Sequence, residues 1–270
     1  MKEINIRDFN FQHHPESMAH EKKASHFRWC RENKVVSNSC FITDRYLHLV
    51  DKCNAKRKIG MLIEPPAILP DIYKFVDQNY KKFDYILTFD KELLDSGRNF
   101  LFYPFGACWI KDFSKPEKSK MCSMIASDKQ FTPGHAFRQE VIRKFNDKVD
   151  HFGRGFKFVE HKEEGLRDYY FSIVLENSRT DYYFSEKILD CFASRTVPIY
   201  WGSNVSKFFD MRGIITFDTM EELNDILSNL TVEKYNEILP YIENNFELIK
   251  NERYEIPEDW LFEKYPFLFD

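Results

Sequence analysis

Glu186 and Lys187 stand directly behind a serine, and Ile188, Leu189 and Phe192 follow at helical spacing, so the pair falls in the first turn of a helix whose N-cap is Ser185. Glutamate suits the positive end of the helix macrodipole there, whereas lysine opposes it by roughly 0.3–1 kcal/mol. Two readings account for the lysine. It is a solvated surface residue, or it shares an anion with the helix amides, because a helix N-terminus readily receives phosphate. Glu64 lies where an apolar run meets Pro65 and Pro66, which stiffen the backbone at a strand's carboxyl end. A partly desolvated carboxylate so placed is a general base, and the plain alternative is a turn glutamate at the surface. Arg138, early in a helix that opens at Pro133, either grips a phosphate through its planar fork or faces solvent. The chain has no DxD pair, GxSxG elbow or Walker loop, and His13, His14, His20, His26, His48, His135, His151 and His161 form no HExxH or other zinc spacing. Cationic side chains rather than a metal would then stabilise a leaving diphosphate.

These groups need a sheet to hold them. Phe171, Ile173, Val174 and Leu175 form an apolar run ending in Glu176-Asn177-Ser178, which reads as a buried parallel strand delivering polar groups at its carboxyl end, where ligands bind in open α/β sheets. Upstream, strands are expected over 58–63, 83–89 and 99–105, with a helix over 69–80 between the first two. The lysine-rich segment 111–120 is the best linker candidate. The pattern then restarts with a strand over 121–126, a helix opened by Thr132-Pro133-Gly134, a short strand over 149–152 ending in Gly153-Arg154-Gly155, and a strand over 213–217. Thr219-Met220-Glu221-Glu222 is a capping box, and the chain from Thr231 onward reads as helical with an aromatic end.

The 270 residues, 43% hydrophobic and 17% aromatic with 27 Phe, supply a core for two small α/β domains or one large one. A net charge of −4 and a pI near 6.1 argue against a broadly basic nucleic-acid binder, although an anionic substrate would still need a local basic cleft. Six scattered cysteines without a CxxC pair read as reduced thiols of a cytoplasmic protein. The N-terminal residues carry no signal-peptide core, and no apolar run approaches the ~18 residues of a membrane span.

The segment ENSRTDYYFSEKILDCFASRTVPIYWG resembles the signature of the α-1,3/4-fucosyltransferase family, glycosyltransferase family 10: a strand ending in FEN(S/T), a tyrosine-bearing turn, (T/S)EK opening a helix, then P-x-Y-W-G. Asn177, Tyr183, Glu186, Lys187, Pro198, Tyr200, Trp201 and Gly202 match it in order and spacing. Glu64-Pro65-Pro66 resembles the family's E-S-P turn, and Phe83-Asp84-Tyr85 with Thr88-Phe89-Asp90 resembles its (F)DY strand. Leu175 replaces the family's phenylalanine, and the membrane anchor, stem or C-terminal heptad array of various members has no counterpart in this sequence.

The resemblance implies an α/β protein of GT-B fold, with two Rossmann-like domains facing each other across a cleft. An acceptor-side domain is expected over 1–115, a donor domain over 116–240, and a helical tail over 241–270 packing back toward the first. It implies inverting, single-displacement transfer of L-fucose from GDP-fucose to a hydroxyl of an acceptor glycan, expected as an α-1,3 linkage to GlcNAc or Glc. On this reading Glu64 is the general base, Arg138 and Lys187 contact the diphosphate, and Asn177, Tyr183 and Glu186 hold the rest of the donor. No cofactor is required, a divalent ion assists at most modestly, and no nucleic-acid partner is expected. Two other readings compete: a GT-B transferase using another nucleotide sugar or an unusual acceptor such as a modified nucleic-acid base, and an inactive nucleotide- or glycan-binding homologue.

Overall fold

The computed structural model describes residues 1–8, 24–104, 106–128, 132–252 and 254–270, apart from the Pro133 side chain. His13, His14 and His20, and Phe105 at the end of one expected strand, lie outside the described residues. Two compact units divide the chain: Met1–Ala107 with Thr180–Tyr183 and Arg253–Asp270, and Cys108–Arg179 with Phe184–Glu252.

The first unit is built on β1 (Lys2–Arg7), β2 (Phe27–Cys30), β3 (Ser39–Thr43), β4 (Arg57–Met61), β5 (Tyr85–Thr88) and β6 (Phe100–Phe102), with α1 (Pro70–Asn79) and α2 (Lys91–Asp95). Its strands lie in the order β2-β1-β3-β4-β5-β6 and are parallel throughout. Parallel neighbours need crossover connections, so α1 spans from β4 to β5 and packs on one face. Ile42, Leu47, Val50, Leu62, Val76 and Ile86 form a buried cluster there. Register places Thr43 beside Met61 and Met61 beside Leu87, so the carboxyl ends of three adjacent strands finish level.

The second unit contains β7 (Lys120–Ile125), α3 (Pro133–Lys144), β8 (Asp150–Phe152), β9 (Tyr169–Leu175), α4 (Glu186–Ala193), β10 (Val197–Trp201), β11 (Ile215–Thr216), α5 (Met220–Ser228) and α6 (Val232–Asn251). Its sheet runs β11-β10-β9-β7-β8, again all parallel. The chain passes from β7 outward to β8, then returns to place β9 on the other side of β7. That reversal opens a crevice at the carboxyl ends of β7 and β9. Helix starts follow local chemistry: Thr132 and Thr219 accept from the backbone N–H three residues on, with His135 and Glu222 returning the favour to the cap residues.

The lysine-rich segment before β7 is irregular but docked on the second unit. Lys118 Nζ donates to the Ser194 carbonyl and to Thr196 Oγ1, both at 2.8 Å, and burial brings its ammonium down to about 7. At the C-terminus α7 (Pro257–Lys264) belongs to the first unit, where Trp29 Nε1 donates to Glu258 at 2.8 Å and Phe269 packs against Phe27 and Phe41. Among the described residues no helix is long and apolar enough to cross a membrane.

Candidate functional site

At the β7/β9 switch point the second unit holds a cavity of about 250 Å³. Arg138, Arg154, Lys162 and Lys187 line it with Glu186 and Asp190, an excess of positive charge suited to an anion. Two glycines let backbones close around it. A Cβ on Gly134, in the first turn of α3, would stand 2.3 Å from the Glu176 carbonyl oxygen, so this helix presses directly on the end of β9. Gly153 has φ +105° and sits so close to the Ala126 carbonyl that a Cβ would lie 2.1 Å from it.

Arg138 follows from that approach. Its side chain is buried, and its guanidinium donates to the Leu175 carbonyl at 3.0 Å and to Asn177 Oδ1 at 3.2 Å. The polar end of β9 is thereby tied to the helix across the crevice.

Glu176 is fully buried and gives Lys187 its reason within the chain. The Glu176 carboxylate accepts from the Ser185 N–H at 2.9 Å and from the Ser185 hydroxyl at 2.7 Å. Lys187 Nζ donates to Ser185 Oγ at 2.9 Å and lies 3.3 Å from Glu176 Oε2. The first turn of α4 thus already carries an anion, the strand's own carboxylate, and the lysine offsets its charge. Considered alone the helix gave no cause for Lys187; the preceding strand does.

A second ion cluster lies one turn along α4. Lys162, from the 3-10 turn Lys162–Gly165, donates to Asp190 at 2.8 Å and to Glu186 at 3.2 Å, and its ammonium sits 4.5 Å from the centre of the Trp109 ring. Asp190 also accepts from the Trp109 N–H at 2.6 Å. Burial opposes the charge of Lys162, yet Asp190 and Glu186 outweigh it and hold its pKa above the usual lysine value. Burial likewise opposes ionisation of Glu186, but Lys162 and then Lys187 hold its carboxyl well below the usual range. For Asp190 burial wins over Lys162, and its pKa is raised. Neither Lys162 nor Asp190 belongs to a spacing that sequence inspection singles out, since their pairing bridges separate elements.

Glu64 and Tyr183 belong to the first unit. Glu64 is half-buried beyond the end of β4, on a turn held at several points: Ile63 and Glu64 N–H donate to Asp44 Oδ1 at 2.8 and 3.4 Å, and the Tyr73 hydroxyl donates to the Glu64 carbonyl at 3.2 Å. The turn closes as Ile68 N–H donates to the Pro65 carbonyl at 2.8 Å. Asp44 itself adopts φ +39°, a left-handed conformation that aspartate tolerates better than most residues. Buried Asp44 and Asp90 stand at the carboxyl ends of β3 and β5, the strands on either side of β4, and flank Glu64 with an acidic edge, while Asp8 at the end of β1 is paired with Arg31 at 3.0 Å. Tyr183 is buried with its ring 4.9 Å from that of Phe89. The structure therefore brings Arg138, Asn177, Glu186 and Lys187 together in the second unit, and places Glu64 and Tyr183 in the first. Among the described residues no group of three or more His, Cys, Asp and Glu is arranged to hold a metal ion.

Residues 115–246 match the family model for glycosyltransferase family 10 (fucosyltransferase), C-terminal part, which coincides with the second unit and its cavity. Over those residues the chain is similar to glycosyltransferase family 10. The chain is 27% identical to the alpha-(1,3)-fucosyltransferase FucT of Helicobacter pylori over 207 aligned residues, covering 58% of this chain and 42% of the relative. It thus spans less than half the length of that curated relative. Among solved structures it resembles an alpha1,3-fucosyltransferase with GDP, at 18% identity and TM-score 0.56 over 95% of this chain and 92% of that one. It also resembles an alpha1,3-fucosyltransferase with GDP-fucose, at 22% identity and TM-score 0.55 over 81% and 72% of the respective chains. These likenesses show that the chain has the GT-B fold, in agreement with its two parallel α/β sheets.

Proposed function

We propose that the protein is an inverting fucosyltransferase that moves L-fucose from GDP-fucose to a hydroxyl of an acceptor glycan, with α-1,3 linkage to GlcNAc or Glc. The observation that carries this reading is the coincidence of the family match with a basic cavity at the sheet's switch point. Relatives whose names and titles speak of α-1,3-fucosyl transfer, GDP and GDP-fucose support it.

On this reading the diphosphate takes up the positive excess of the second unit. Arg138 and Lys187 meet its charge, while Asn177, Glu186 and Tyr183 hold the rest of the donor. The Glu64 carboxylate accepts the proton of the acceptor hydroxyl as its oxygen bonds to C1 of fucose. The C1–phosphate oxygen bond breaks and GDP leaves with the electron pair. A positioned base contributes about 10²–10⁴-fold, and cations aimed at the leaving group stabilise charge that develops only in the transition state. One carboxylate suffices, since inversion needs no covalent glycosyl intermediate. On the same reading no metal is required, and a divalent ion assists at most modestly.

Calorimetry with GDP, joined to product detection from GDP-fucose on an array of glycan acceptors, tests the proposal. Lys187→Ala is expected to weaken GDP binding, and Glu64→Gln to keep GDP affinity while abolishing transfer. Absence of GDP binding would overturn the donor assignment. Full transfer by Glu64→Gln would remove Glu64 as the base.

A further inference from the structure

The motif's closing residues Tyr200-Trp201-Gly202 line no part of the basic cavity, and two of them line a cavity of their own. It measures about 360 Å³ and opens at the carboxyl ends of β10 and β11, within the second unit. Buried Tyr200, Ser203 and Phe217 lie at its floor, and exposed Arg179, Thr216 and Asp218 at its rim. The strand order sets it two strand spacings, about 10 Å, from the β7/β9 switch point along the same edge of the sheet.

The polar groups suit a neutral ligand rich in hydroxyls. The Tyr200 side chain is 1% exposed, and its hydroxyl has no hydrogen-bond partner among the described residues; Ser203 stands beside it but outside bonding geometry. A buried hydroxyl left so costs about 1–3 kcal/mol until something bonds to it. Burial, and then the charge of Glu176, raise its pKa well above the usual tyrosine value, so it stays an uncharged donor. Gly202 leaves that end of the ring open, since a Cβ there would lie 2.3 Å from the hydroxyl oxygen. At the rim Arg179 is fixed by Asp218 at 2.6 Å and by the Gly202 carbonyl, to which its Nε donates at 3.1 Å. The two rim charges cancel, in contrast to the positive excess of the basic cavity.

We propose that this cavity holds a neutral hexose or N-acetylhexosamine residue of the acceptor glycan, beyond the residue that receives fucose, an assignment that rests on the glycan-acceptor reading above. A pyranose ring presents hydroxyls that both donate and accept, together with a C–H face that packs on apolar side chains. Tyr200 and Arg179 supply donors, Asp218 and Thr216 supply acceptors, and Phe217 supplies the apolar surface. A diphosphate finds no net charge to meet it there. The distance of about 10 Å along the edge is one that a few linked sugars can span.

Saturation-transfer NMR on the full chain without nucleotide tests this, using a neutral tetrasaccharide of alternating galactose and N-acetylglucosamine and its terminal disaccharide. The tetrasaccharide is expected to bind more tightly than the disaccharide. Tyr200→Phe should weaken tetrasaccharide binding about three- to tenfold without lowering the Tm, because the hydroxyl it removes has no partner in the fold. A hydroxyl with a purely structural role would give the reverse, a lower Tm and unchanged binding. Thr216→Phe, which fills the exposed rim, should bring the tetrasaccharide down to the affinity of the disaccharide, and it decides the matter should Tyr200→Phe not fold. The assignment is overturned if the wild type binds both sugars equally, or if both variants bind the tetrasaccharide as the wild type does. Fucose transfer to the disaccharide in those cases would leave the transferase reading standing. Tyr200-dependent binding of the tetrasaccharide with no transfer from GDP-fucose would keep the sugar site and remove the transferase.

Discussion

At the scale of single residues, the ion cluster on α4 makes a prediction that depends on pH. Lys162 lies between Glu186 and Asp190 with only about a fifth of its side chain exposed, so removing it leaves two carboxylates facing each other in a largely dry place. Lys162→Met should destabilise the protein at pH 7 by about 3–5 kcal/mol, the usual cost of breaking a buried pair. The sign with pH follows from the shifts. Glu186 is depressed in the fold, so its stabilisation in the wild type is present above its ordinary value of 4.5 and fades as the pH falls. The contribution of Lys162, whose pKa is raised, is complete below 10.5 and is lost only as the pH rises through its folded value. In the variant Asp190, already raised by burial, loses its partner and takes up a proton more readily on acidification. The gap between wild type and variant should therefore narrow from pH 7 toward about pH 4. Urea unfolding across that range checks it, and a gap that stays constant would show that the pairing does not govern stability.

At the scale of elements, the close approach of α3 to the end of β9 sets where Arg138 and Asn177 meet. Gly134→Ala would push a methyl group into the Glu176 carbonyl, which is backbone and has no rotamer to escape through. Overpacking of this kind costs about 1–3 kcal/mol. It should also weaken GDP binding by about tenfold, the loss of roughly one charge-assisted contact. Normal affinity in a destabilised variant would separate the packing from the site. On the other sheet Asp44 holds the turn that carries Glu64, so Asp44→Asn should lower kcat by about tenfold or more while leaving GDP affinity unchanged, because a small displacement of a base is costly. Equal loss of both would mean a general folding defect. Elements with local signals were open to sequence reading: Ser185, Thr132 and the Thr219/Glu222 box mark helix starts that the structure has. The strands β1, β2 and β3 were not delimited, because β1 offers only Ile4 and Ile6 as an alternating signal and β3 ends in Thr43, which is buried by tertiary packing rather than by an apolar side chain. The motif exposed Glu186 and Lys187. It did not reveal Lys162, Asp190 or the service of Glu176 to Lys187, since those pairings form only when separate elements are folded against one another.

At the scale of the whole molecule, two units with separate sheets and cores divide the expected ligand contacts unequally. Arg138, Asn177, Glu186 and Lys187 all lie in the second unit, so a ligand held by them stabilises first the unit whose folding creates the site. A single ligand at a hundred times its dissociation constant adds about 2.7 kcal/mol to the state that binds it. GDP at that excess should slow amide exchange in the first turn of α4, in the turn at Gly153 and at the start of α3. Exchange in the central strands β3, β4 and β5 of the first unit should change far less. Four cationic side chains against two carboxylates in the cavity further require the affinity to fall as salt is raised. Protection that appeared instead around the Glu64 turn, with α4 unchanged and affinity indifferent to salt, would place the nucleotide on the acidic edge of the first sheet. Phosphate would then lie beside Asp44 and Asp90, where like charges repel it, so the outcome tests the electrostatic division between the two sheets as directly as it tests the ligand.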